Sequence, residues 1–266
     1  MPCPPVSLPI VDAGPEALFR IGQVHAVGEV VRASMPIGSS TRGTDGRTSA
    51  GALGVLVDNV LGYAIIAARP PDHWSVSTEI SLDVFPELRT ATGRLHAEAT
   101  TIHTDALGGF ATGRVVDDVG MLVAVCGQRG RFVPTGAGAL GPPSFDREPG
   151  AVADVGALLG IGGMGDEGAD LIVSPELQNP MRNLHGGIVL AVADLVAAAC
   201  LRATDGPELV TASLHATYTR PLAGGSVVSF RPHVRHRGRG LAVVEVTGTV
   251  EGRVGAVVRV VAQRLP

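Results

Sequence analysis

The feature that most constrains the fold is an internal repeat. The segment "SAGALGVLVDNVLGYAIIA" (49–67) has the build of "HGGIVLAVADLVAAACLRA" (185–203). Small residues open each, an apolar run follows, and an Asp falls at the tenth position. These carboxylates, Asp58 and Asp194, lie 136 positions apart. A strand-like run ending in proline follows each helix-like segment: "SVSTEISLDVFP" closes at Pro86 and "VTASLHATYTRP" at Pro221, 135 positions later. Two landmarks with nearly equal offsets point to a tandem duplication, and the period is too long for a solenoid. At 266 residues and 45% apolar, the chain can supply a core to each copy.

The expected organisation is an N-terminal domain over 1–132, a linker over 133–155 and a C-terminal domain over 156–266. The linker "VPTGAGALGPPSFDREPGAVADV" is rich in Gly, Pro and Ala. Each half offers one early strand, one glycine-opened helix and several long strands separated by turns such as "LAGG", "HRGRG" and "DALGG". One helix with a run of antiparallel strands implies an α+β fold, the sheet wrapped around the helix. In the run from Val210 to Thr219, strict alternation places Leu214, Ala216 and Tyr218 on one face and Thr211, His215 and Thr217 on the other.

The carboxylates carry the chemistry. In a helix from 186 to 203, Gly187 and Asp194 are two turns apart on one face, separated by ~10 Å. An Asp on an inward face can act as a base or nucleophile. Glycine at a helix start lets a ligand approach free N–H groups that bind developing negative charge. The two devices are too far apart along one helix to meet at one carbonyl. A second, antiparallel helix would bring the Asp of one to the glycine end of the other, and the duplication supplies it.

Composition closes off other chemistries. All 21 cations are Arg, so there is no lysine for a Schiff base or a Walker-type phosphate loop. A net charge of −4 gives no reason to expect nucleic acid. Cys3, Cys126 and Cys200 are few and far apart, which suits reduced thiols in a cytoplasmic protein. The N-terminus lacks the pattern of a signal peptide, and the apolar run 184–201 carries His185 and Asp194, so no membrane span is expected. His96 and His103, seven apart in a strand, are expected on opposite faces, and no metal site is expected. Arg235 and Arg237 lie in the turn-like "RPHVRHRGRG", and Arg182 precedes the second helix; all three are candidates to meet phosphates.

At Asn179, His185, Gly186, Gly187 and Asp194 the sequence resembles the hotdog-fold acyl-CoA thioesterases of the phenylacetate-pathway type. The pattern is Asn, five residues, His-Gly-Gly, six residues, Asp, and "VTASLHATYTRPL" is similar to the strand that follows. The resemblance implies two tandem hotdog domains that hydrolyse acyl-CoA at a site shared between halves, without a cofactor, in a homo-oligomer. It implies a polarising side of Asn179, His185 and Gly187, with Gly186 beside it, a carboxylate at Asp194 and a strand hydroxyl at Thr211. The first half departs from the pattern: Ser49, Ala50 and Gly51 stand at the His-Gly-Gly place and Gly43 at the Asn place, yet Asp58 persists. Pairing across halves then gives one complete site, Asp58 with Asn179, His185 and Gly187, and one lacking Asn and His, Asp194 with Ser49 and Gly51. The alternatives are a non-catalytic acyl-CoA-binding protein and an acyl-thioester hydratase or dehydratase. The Asp-x4-His pair usual in the last is absent before both helices.

Overall fold

The structure, a computed structural model, describes residues 13–135, 152–204 and 206–265. Two single-turn helices, α1 (Pro15–Leu18) and α3 (Val155–Leu158), accompany two long ones, α2 (Leu53–Ile66) and α4 (Gly186–Arg202). The strands of the first half are β1 (His25–Val27), β2 (Val30–Pro36), β3 (His73–Val84), β4 (Arg94–Thr104), β5 (Gly108–Asp117) and β6 (Leu122–Pro134). Those of the second are β7 (Gly162–Gly165), β8 (Gly168–Ile172), β9 (Val210–Tyr218), β10 (Val227–Arg237), β11 (Leu241–Val250) and β12 (Arg253–Gln263). Val133 and Pro134, read as linker, extend β6, and Val155 opens α3. Cys3 and most of the linker lie outside the described residues.

All twelve strands join one antiparallel sheet in the order β1-β2-β4-β5-β6-β3-β9-β12-β11-β10-β8-β7. Read inward from its two edges, the sheet presents corresponding elements. The halves meet where β3 pairs with β9, from Glu79 opposite Thr217 to Asp83 opposite Ser213.

Helices α2 and α4 are apolar almost all round and correspondingly buried on every side. They pack on each other and on one face of the sheet, whose strands alternate buried and half-buried residues, as β2 and β11 do. The helices run antiparallel and touch backbone to backbone. A Cβ on Gly54 would fall 2.5 Å from the Gly187 carbonyl oxygen, and one on Gly187 would fall 2.5 Å from the Gly54 carbonyl. Only glycine permits that approach.

Two β-bulges turn hydroxyls towards the helices, and the first corrects the alternation read from Val210 to Thr219. Between β9 and β12, Ser213 pairs with Val261 and Thr211 with Ala262, so Ala212 is the extra residue. The extra residue reverses the parity of the strand, and Thr211 faces the helices together with Leu214 and Tyr218. In β3, Ser77 pairs with Gly130 and Glu79 with Arg129, and Thr78 is the extra residue; Ser77 turns to the same side as Ile80 and Leu82. A third bulge, between Thr101 and His103 in β4, leaves His96 and His103 both exposed rather than on opposite faces. One inserted residue is enough in each case to move a side chain across the sheet.

Candidate functional site

The antiparallel crossing sets each Asp against the start of the other helix. Asp58, from the middle of α2, accepts at Oδ2 from the Gly187 N–H of α4, 2.9 Å away, and at Oδ1 from the Ser77 hydroxyl, also at 2.9 Å. Its Oδ2 lies 3.2 Å from Nδ1 of His185, the residue that caps α4. The amide side chain of Gln128 donates to Ser77 Oγ at 3.0 Å, and the Tyr218 hydroxyl donates to the Gly186 carbonyl at 2.8 Å. These groups line a cavity of about 520 Å³ between the halves. Trp74, the one tryptophan of the chain, lines it too.

Asp194 mirrors this arrangement from α4. Oδ2 accepts from the Ser49 hydroxyl at 2.6 Å and the Gly51 N–H at 2.9 Å, and Oδ1 accepts from the Thr211 hydroxyl at 2.6 Å. A second cavity, of about 410 Å³, opens onto it. The two sites share a carboxylate, a glycine amide and a strand hydroxyl. They differ in what surrounds these. Ser49 replaces His185 at the helix start, and the residues in the places of Glu16, Asn59 and Gln128 are Gly156, Leu195 and Val260.

His185 carries the electrostatics of the first site. It is 6% exposed, with Nε2 3.5 Å from Glu16 Oε1 on one side and Nδ1 facing Asp58 on the other. Burial opposes charging the ring, but the two carboxylates outweigh it and raise its pKa to about 9. The Gly187 N–H also lies 3.1 Å from His185 Nδ1. A charged ring cannot accept there, so in that state the amide belongs to Asp58 and Nδ1–H donates to the same oxygen. Burial and the Asp58 charge push the Tyr218 phenol well above its usual range, so it stays a hydrogen-bond donor.

The structure brings Asp58, His185 and Gly186 to one cavity and Asp194 and Thr211 to the other; Gly187 and Gly51 line neither but bond the aspartates through their amides. Asn179 borders the first, but its Oδ1 accepts from the backbone amides of Met181 and Asn183, at 3.0 and 3.2 Å, and shapes the loop before α4. The Gly187 N–H, implied as the polarising donor, is held by Asp58; at the start of α4 the Gly186 N–H is the amide without a partner among the described residues. Arg237 lines the Asp194 cavity. Arg182 and Arg235 line neither cavity, and Arg235 pairs with Glu245 along the sheet. Sequence reasoning missed Ser77, Glu16, Gln128 and Tyr218. Ser77 holds towards Asp58 the place that Thr211 holds towards Asp194, at a spacing one or two residues off the repeat read from the sequence. Among the described residues, no cluster of His, Cys, Asp and Glu is suited to hold a metal ion, and no helix is long and apolar enough to cross a membrane.

Both halves match thioesterase families. Residues 181–257 match the family described as thioesterase superfamily, and residues 26–132 match the acyl-CoA thioesterase C-terminal domain. No curated protein matches the sequence. Among solved structures, the 12:0-ACP thioesterase from Umbellularia californica is 17% identical with a TM-score of 0.60, covering 89% of this chain and 94% of its own. A Lactobacillus plantarum protein assigned as an oleoyl thioesterase is 11% identical with a TM-score of 0.61, over 89% of this chain and 97% of its own. An acyl-ACP thioesterase from Bacteroides thetaiotaomicron VPI-5482 is 12% identical with a TM-score of 0.55, over 88% and 98%. At these identities the likeness is one of fold: the hotdog architecture of thioesterases, a helix wrapped by an antiparallel sheet.

Proposed function

We propose that the chain is a tandem double hotdog that hydrolyses acyl-CoA thioesters at the Asp58 cavity, shared between its halves. One observation carries the reading. A buried carboxylate from α2 lies beside the amide-bearing start of α4, in a cavity large enough for an acyl chain. The thioester carbonyl accepts from the Gly186 N–H, at the positive end of the α4 dipole. Three donors already occupy Asp58, and a carboxylate has about four lone-pair sites, so one remains for water. Water attacks the carbonyl carbon and its proton passes to Asp58. The tetrahedral intermediate then expels the thiolate, which takes up that proton and leaves as CoA thiol beside the free acid. His185, charged between Asp58 and Glu16, balances the carboxylate that does the work. Tyr218 fixes the helix start through the Gly186 carbonyl.

Two hotdog halves that complete one site are also the simplest account of the repeat and of the matching strand order. Assembly of the double hotdog into a homo-oligomer, and residence in the cytoplasm, belong to the same proposal; light scattering tests the first. The hydrolysis reading is tested by following thiol release from short, long and aromatic acyl-CoAs, with acyl-ACP in parallel. Turnover of an acyl-CoA that Asp58→Asn abolishes is the expected result. Turnover of acyl-ACP alone would correct the carrier, and no turnover of any thioester would overturn the reading.

A further inference from the structure

The buried polar atoms without hydrogen-bond partners are not scattered. Among the described residues they are Glu16 Oε2, Asn59 Oδ1, Ser75 Oγ, Gln128 Oε1, and Nε and Nη1 of Arg237. The first four line the Asp58 cavity, and the two from Arg237 line the Asp194 cavity. An unpaired buried polar group is costly, so each of these atoms calls for a partner, water or ligand. The unpaired atoms are mainly acceptors at the Asp58 cavity, whose wall also includes Arg131 and Arg220, and guanidinium donors at the Asp194 cavity.

The remainder of the Asp194 cavity agrees. Arg89 and Arg202 line it, and neither guanidinium has a hydrogen bond or ion pair among the described residues. Arg47, on the same wall, is paired with Glu208 and Asp45. Asp194 itself is held by neutral donors: two hydroxyls and one amide. It therefore does not pair with the arginines. Arg202 lies eight residues beyond Asp194 on α4, ~12 Å at the helical rise. The wall of the cavity includes an apolar set, Val84, Leu88, Leu195, Ala198, Leu201 and Leu209, beside polar residues such as Thr48 and Glu208. The groups that surround Asp58 are missing: no imidazole, no second carboxylate beside it and no amide on the strand hydroxyl.

We propose that the Asp194 cavity is a second, non-hydrolytic binding site for an amphiphile with a phosphate or carboxylate head and an apolar chain. Arg89, Arg202 and Arg237 hold the head, since guanidinium groups match both anions in two-pronged geometry. The apolar wall takes the chain. Asp194, held by the Ser49 and Thr211 hydroxyls and the Gly51 amide, closes the inner end, with no imidazole or second carboxylate beside it to balance its charge. This inference stands on the arginines and the apolar wall, and does not depend on hydrolysis at Asp58.

The test is calorimetric titration of the full chain carrying Asp58→Asn, which removes turnover, with dodecanoyl-CoA, CoA and sodium dodecanoate. The expected result is two dodecanoyl-CoA sites per chain, one of which weakens at least tenfold when Arg89→Ala and Arg202→Ala are combined. Both arginines are on the rim, so their removal leaves the core intact. Weakening of CoA in that variant identifies phosphate as the recognised head; weakening of dodecanoate alone identifies carboxylate. A single dodecanoyl-CoA site, or two sites of which neither responds to the arginines, would overturn the proposal. Should Asp58→Asn fold poorly, CoA and dodecanoate have no thioester to cleave, so the same comparison is made in the wild-type background. Thiol release tests hydrolysis separately, so failure of one reading leaves the other standing.

Discussion

The two aspartates are equally buried and equally bonded, at 8% and 5% exposure, so burial alone does not rank them. Their neighbours do. Asp58→Asn should lower kcat by ~10²-fold or more, the scale of a lost general base, while Asp194→Asn keeps kcat/KM within severalfold. Thiol-release kinetics distinguish them, and the reverse order would move the chemistry to the other cavity. Ser77→Ala, which removes a donor to a charged group, should cost about tenfold in kcat. His185 gives a pH signature. Its pKa is raised from 6.5 to about 9, so its stabilising contribution is complete below 6.5 and is lost as the pH climbs towards 9. Urea midpoints of wild type and His185→Gln should therefore converge between those values; a constant gap would show that folding leaves the ring's pKa unshifted. Asp58, Asp194, Gly51 and Gly187 were legible in the sequence because they recur at matching places, and His185 and Gly186 through the His-Gly-Gly pattern of the second half alone. Glu16 was not, because it reaches the site from a single-turn helix far away in the chain, and only folding brings it to His185.

At the scale of elements, periodicity found both long helices and the long strands, because their apolar patterns are strong. It could not place bulges. Val210 to Thr219 alternates cleanly as written, and nothing local says that Ala212 is extra; that is decided by the partner strand. The consequence is functional, since the bulges of β3 and β9 turn a hydroxyl, Ser77 or Thr211, onto a carboxylate. The glycine crossing of α2 and α4 was visible only as a choice of small residues. Gly54→Ala should destabilise by ~1–3 kcal/mol, the usual range for overpacking. At this chain length that lowers Tm by about 2–4 °C per kcal/mol. An unchanged melting temperature would mean that the helices separate more easily than their backbone contact implies.

At the scale of the whole molecule, the two halves share one sheet and one pair of crossed helices, and each cavity takes residues from both. Calorimetric unfolding should accordingly show one transition, with calorimetric and van't Hoff enthalpies in agreement. Two resolved transitions would mean that the β3–β9 seam couples the halves weakly. The edge strands β1 and β7 are three and four residues long, too short to template much pairing with another chain. The two clefts are also spectroscopically unequal. The chain has one indole, that of Trp74, and it borders the Asp58 cleft alone. A molecule that settles there should alter the emission, while one that settles beside Asp194 should be optically silent. Fluorescence and heat, measured in the same titration, would then assign each binding event to its cleft without a label or a second protein.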